Sequence, residues 1–120
     1  MVNVCPLGPC DIDALYAISL ATGLAGGDAS SLYSDPKLMG HIYSAPYARL
    51  QPELCLVAED EAGVAGFVVG TADTSAWERR LEQEWWPRLR QQYPAPDEAR
   101  ITEWSHDQQR AFMIHNPKLV

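Results

Sequence analysis

The β-hairpin encoded in residues 54–72 constrains this chain more than any other feature. Residues 54–58 and 64–72 are apolar and β-prone, and Asp60-Glu61-Ala62-Gly63 between them has the composition of a tight turn. Glycine at position 63 supplies the left-handed backbone that such a turn requires. Phe67, Val68 and Val69 lie at the centre of the returning strand. Gly66 and Gly70 weaken a strand unless something packs close to its backbone, so both are expected to be contact points for a helix or a ligand.

Helical patterns flank the hairpin. Residues 2–7 form a short β-like run, after which Asp11 is placed as an N-cap. Ile12, Leu15, Tyr16, Ser19 and Leu20 then recur at helical spacing as far as Gly23. A glycine- and serine-rich loop covers residues 24–34. Asp35 is the expected cap of a second helix, with Pro36 in its first position and Leu38, Met39, Ile42 and Tyr43 as its apolar stripe. Pro46 should kink or end that helix. Beyond the hairpin, Ser75 and Glu78 have capping-box spacing, and Trp77, Leu81, Trp85 and Leu89 form one stripe on a charged helix. Pro87 should split this helix near Trp86, and residues 107–114 read as a final short helix. The order β-α-α-β-β-α-α implies an α+β fold, a small antiparallel sheet with helices on it.

Length and charge narrow the function. At 120 residues the chain is one domain's worth. Its 9 Lys+Arg against 16 Asp+Glu leave a net charge of -7, which excludes binding nucleic acid through a basic face. No apolar run approaches the roughly 18 residues of a membrane span, and the N-terminus has no secretory pattern. Cys5, Cys10 and Cys55 fit no C-x-x-C or zinc spacing, so three reduced thiols in a cytoplasmic protein are expected. His41, His106 and His115 read as surface or cap groups, and no metal is expected.

Several side chains have two readings. Trp77, Trp85, Trp86 and Trp104 could form a stacking surface, or could bury a helix against its neighbours; Trp86, off the stripe, is the more open to binding. Asp73 at the hairpin's end is either a helix cap or a polar group that holds an acceptor amine. Tyr33, Tyr43 and Tyr47 can position a substrate or simply pack. All eight glycines lie at or before Gly70. A phosphate cradle needs glycines just before a helix, and the only candidate, Gly26-Gly27, leads into Asp28, whose carboxylate repels phosphate.

The stretch VCPLGPCDIDALYAISLATG resembles the opening strand and helix of the GNAT superfamily of acetyl-CoA-dependent N-acetyltransferases. The hairpin LCLVAEDEAGVAGFVVGTAD resembles that family's second and third strands. YSDPKLMGHIYSAPYARL and WERRLEQEWWPRLRQQYP resemble a narrower bacterial subgroup, itself similar to the acetyltransferase-like domain attached to some O-GlcNAc hydrolases. The resemblance spans nearly the whole chain and implies acetyl transfer from acetyl-CoA to a small-molecule or protein amine.

In that family a loop of the form R/Q-x-x-G-x-G/A, after a fourth strand, holds the coenzyme's pyrophosphate. Asn116-Pro117-Lys118 would be only the approach to that strand. Residues 1–120 are therefore expected to be a single partial domain, the N-terminal acceptor-side half, inactive alone and without a cofactor. The resemblance and position select Asp28, Tyr33, Tyr43 and Asp73 as acceptor-side residues, with no nameable catalytic base. An open third strand further implies either a homodimer or poor stability. The alternatives are a non-catalytic binding or dimerisation module derived from this family, and a disrupted gene.

Overall fold

Alternating apolar residues at the start and middle of the chain build its sheet. The structure, a computed structural model, describes residues 1–117. Strands β1 (Asn3–Pro6), β2 (Leu56–Asp60) and β3 (Gly63–Val68) pair antiparallel in the order β1-β2-β3. Gly63 closes the hairpin at φ +118, as its turn position requires. Val57 pairs with Cys5 on one side and Phe67 on the other, and this row faces inward. The register then slips between Ala58 and Glu59, so that Gly66 faces Ala58 but Val64 faces Glu59. Ala65 is thus the extra residue of a β-bulge, and the bulge turns Val64 onto the inner face, where it packs against the core.

Six α-helices are described: α1 (Ile12–Ala21), α2 (Leu38–Tyr43), α3 (Ala45–Leu50), α4 (Thr74–Glu84), α5 (Trp86–Gln92) and α6 (His106–His115). Short 3-10 turns occupy Pro9–Asp11, Pro52–Leu54 and Glu98–Glu103. Leu15 of α1, Ala48 of α3 and Val57 of β2 form a small core under the sheet. A larger core joins Leu38 and Met39 of α2 to Trp77, Leu81, Trp86, Leu89 and Ile114 of the later helices. The α1–α2 seam lies between the two cores. There the buried hydroxyls of Ser19 and Ser44 are 2.7 Å apart, and Gly40 presents bare backbone to the Tyr16 ring. No helix among the described residues is long and apolar enough to cross a membrane.

The α+β architecture agrees with the sequence pattern, but prolines divide it more finely. Pro46 does not end the second helix from within; it occupies the first turn of a separate helix, α3, where its missing N–H is no loss. Pro87 does the same for α5, and the stripe breaks at Trp85. Asp35 does not cap α2, which starts three residues later; its carboxylate accepts the Lys37 N–H at 2.9 Å in a preceding turn. Asp73, not Ser75, caps α4. β3 ends at Val68, short of position 72. Gly66 and Gly70 are not close-contact points: a Cβ at either would meet nothing within 4 Å. The expected approach to a fourth strand includes Lys118, which lies outside the described residues.

These two classes of glycine give opposite expectations. A methyl group at Gly40 would overlap the ring of Tyr16, so Gly40→Ala should cost about 1–3 kcal/mol of stability through overpacking. Gly66→Ala meets open space, and stiffening the unfolded chain should make it neutral or stabilising by up to about 1 kcal/mol. Urea denaturation of both variants beside the parent checks the pair; equal losses would contradict the α1–α2 seam described here.

Candidate functional site

Helix α4 begins where the hairpin ends because the Asp73 carboxylate accepts the Ala76 N–H at 3.1 Å. From this cap the helix directs Trp77 and Leu81 toward α2 and α3, and between them opens a groove of 990 Å³. Tyr43 and Tyr47 form the facing wall, Trp86 and Met113 line it further, and Thr71, Thr74, Ser75, Glu78, Arg79 and Glu82 add polar groups. The walls are also tied together. Arg90 grips Glu82 with two bonds of 2.6 and 3.1 Å and donates to the Ile114 carbonyl at 3.0 Å, linking α4, α5 and α6.

The lining is apolar, but its polar atoms are unevenly satisfied. Tyr47 stacks on Trp77 with centroids 4.8 Å apart. Trp77 is only 3% exposed, yet its indole N–H has no hydrogen-bond partner among the described residues. Trp85 and Trp104, by contrast, donate to the His41 and Asp97 carbonyls at 2.9 and 2.8 Å. A buried, unpaired donor of this kind costs about 1–3 kcal/mol unless something accepts from it.

A second feature lies at the α2–α6 edge. Arg110 donates from Nε to the Tyr33 hydroxyl at 2.9 Å and from Nη1 to the Tyr43 hydroxyl at 3.2 Å. The same Nη1 is 3.3 Å from Met113 Sδ. Two of the four residues singled out from the sequence therefore meet on one guanidinium. Tyr33 is itself in the core, whereas Tyr43 is 42% exposed and lines the groove. Asp73 stands beside the groove as a helix cap. Asp28 is elsewhere, in a shallower depression with Asp13, Tyr16 and Lys37. Its carboxylate accepts the Ser30 N–H at 2.8 Å, and bonding to Ser30 holds its pKa below the ordinary value.

The tryptophans do not assemble into one cage. Trp86 is buried in the larger core rather than left open, although it reaches the groove. Trp104 packs on Phe112 instead, at 5.3 Å between centroids. Arg110 escaped the sequence reading because its environment is built by residues 67 and 77 positions away. A signal was present: it is the only arginine of α6, three residues before Met113. His106 is exposed at the start of α6, as expected, but the other two histidines need correction. His41 is a half-buried junction group, its Nδ1 2.9 Å from the Tyr16 hydroxyl, and His115 Nε2 is 2.6 Å from the Tyr93 carbonyl.

The Gly26-Gly27 turn does not fit a coenzyme diphosphate. Its two N–H groups are already bonded, to the Thr22 carbonyl at 3.1 Å and the Leu24 carbonyl at 2.7 Å. Backbone donors consumed this way cannot cradle a phosphate, and Asp28 follows directly.

No family model matches the chain. Protein O-GlcNAcase of Rattus norvegicus and that of Mus musculus are each 30% identical to it over 64 residues, which is 53% of this chain and 7% of theirs. The crystal structure of SsHAT superposes with a TM-score of 0.84 at 33% identity, covering 97% of this chain and 56% of that one. The chain thus spans little more than half of SsHAT and a small part of each O-GlcNAcase. These likenesses agree with the sequence resemblance: nearly the whole chain has the α+β fold of part of SsHAT, and 64 of its residues are similar to part of O-GlcNAcase.

One pH dependence follows from the His41 junction. Burial depresses the His41 pKa below 6.5; nearby Asp35 opposes this and Lys37 adds to it. The folded state then binds a proton less readily than the unfolded chain does. Stability should be undiminished above about pH 6.5 and fall as the pH drops below it. Thermal melts between about pH 7.5 and 5 should show this slope, and His41→Gln should flatten it. An unchanged slope in the variant would assign the effect to other groups.

Proposed function

We propose that residues 1–117 form the acceptor side of a GNAT-type N-acetyltransferase, which moves acetyl from acetyl-CoA to an amine. The reading is supported chiefly by the likeness to SsHAT along nearly the whole chain. In it, the groove between α2, α3 and α4 receives the acceptor's apolar body. Tyr43 and Arg110 present hydroxyl and guanidinium donors at one edge, while the Asp73 cap fixes the start of α4. Asp28 stands apart in its own depression and takes a secondary part at most in acceptor contact. In this reading the Gly26-Gly27 turn does not hold the coenzyme's diphosphate, because its donors are spent on their own turn. The chain by itself supplies acceptor contacts but neither the thioester-polarising group nor a base. The compartment proposed is the cytoplasm, which keeps thiols such as the exposed Cys10 reduced.

A second reading, a non-catalytic binding or dimerisation module, is favoured by one observation. The outer face of the sheet carries exposed Val4, Leu56 and Val68, and β1 and β3 pair on one side only. Such a face and such edges invite another chain. Calorimetric titration of the 120-residue chain with acetyl-CoA should give no binding heat; micromolar affinity would overturn the division between acceptor side and coenzyme side. Sedimentation checks the second reading. Dimers abolished by Val68→Glu would support it, and a monomer at every concentration would remove it.

A further inference from the structure

Two groups at the groove are donors with capacity to spare. The Trp77 N–H is buried and has no partner among the described residues. Arg110 uses Nε and Nη1 on two phenols and a thioether, and no bond from its Nη2 is recorded among the described residues. Phenol oxygens orient a guanidinium without cancelling its charge. The four ion pairs among the described residues include neither Arg110 nor the rim residue Arg79. The acids near them are engaged: Glu82 is held by Arg90, and Glu78 has a partner of its own. In a chain of net charge -7, this leaves a half-buried cation, in contact with the groove residues Tyr43 and Met113, with no counter-ion among the described residues. What fits such a place is an apolar body carrying acceptor oxygens with negative charge. A carboxylate oxygen can accept from the remaining Nη2 N–H groups in a charge-assisted bond.

We infer that the groove anchors a carboxylate: its ligand is an aryl or alkyl acid, with the carboxylate on Arg110 and the apolar body along Tyr47 and Trp77. For the acceptor-side reading this makes the acceptor an amine that also bears a carboxylate; only that extension rests on the reading, and the anchor stands on the geometry alone. Tyr33 and Tyr43 are positioning residues that hold the guanidinium in place.

Three probes of one shape separate the contributions. Calorimetric titration of the 120-residue chain with 4-phenylbutyrate, 4-phenylbutanol and 4-phenylbutylamine should rank the acid first, at least about tenfold tighter than the other two. Arg110→Gln should lower the acid to the level of the alcohol, and Arg110→Lys should recover part of the loss. Nitrogen-15 NMR of the unmodified chain guards against a variant that fails to fold. The acid should shift the Trp77 indole N–H and the Arg110 side-chain resonances together. Equal binding of acid and alcohol, preference for the amine, displacement of the acid by an equal concentration of inorganic phosphate, or no shift at either resonance would each overturn the anchor. None of these experiments involves acetyl transfer. Failure here leaves the acceptor-side reading intact, and acetyl-CoA binding by this chain would defeat that reading without touching the anchor.

Discussion

The close approach of α1 and α2 is the contact on which the rest of this structure depends. Gly40 lacks a side chain, so the Tyr16 ring can lie against the α2 backbone, and the Ser19 and Ser44 hydroxyls meet in the dry interior beside it. On one side of this seam, Leu15 and Val57 bind α1 to the sheet. On the other, Leu38 and Met39 bind α2 to the tryptophan-bearing helices. Neither core is large. Joined through the seam they fix where α2 stands, and α2 supplies Ile42 and Tyr43 to the groove. A polar pair costs little here because Ser19 can donate to Ser44, which in turn can donate to the Gly40 carbonyl.

The groove also departs from the electrostatics of the chain as a whole. A protein with 16 acidic and 9 basic side chains has carboxylates to spare, and most of the arginines with recorded ion pairs lie on solvated faces. Arg110 instead binds neutral oxygens. Burial of a cation without a counter-ion is unfavourable, and neutral hydrogen bonds offset only part of that cost. The Trp77 N–H adds a buried donor with no partner among the described residues.

Legibility in the sequence followed the range of the interactions involved. The hairpin, the break at Pro87 and the capping role of Asp73 rest on neighbours within a few residues, and each is written locally. The bulge at Ala65 rests on register against β2, and no residue type marks it. The start of α2 differed from the pattern because the Asp35 carboxylate serves the Lys37 N–H and the Tyr93 hydroxyl, while Asp107 bonds the Asp35 N–H from 72 residues away. Tyr43 was identified by its place on the second helix. Its partner Arg110 could be found only once α6 was laid against α2.

By itself the sequence determined the α+β class, the hairpin and its turn, the proline-divided helices, and the lack of a glycine cradle in the last 50 residues. These follow from backbone propensity and period, which act over one or two turns of chain. Tertiary structure alone decided that Tyr33 and Tyr43 share one guanidinium, that Trp77 is buried with its N–H unpaired, and that Asp28 lies outside the groove. The reason is that hydrogen-bond satisfaction belongs to atoms brought together in space from distant parts of the chain. Local pattern places each residue on a helix or a strand, and only packing says which polar atom it meets.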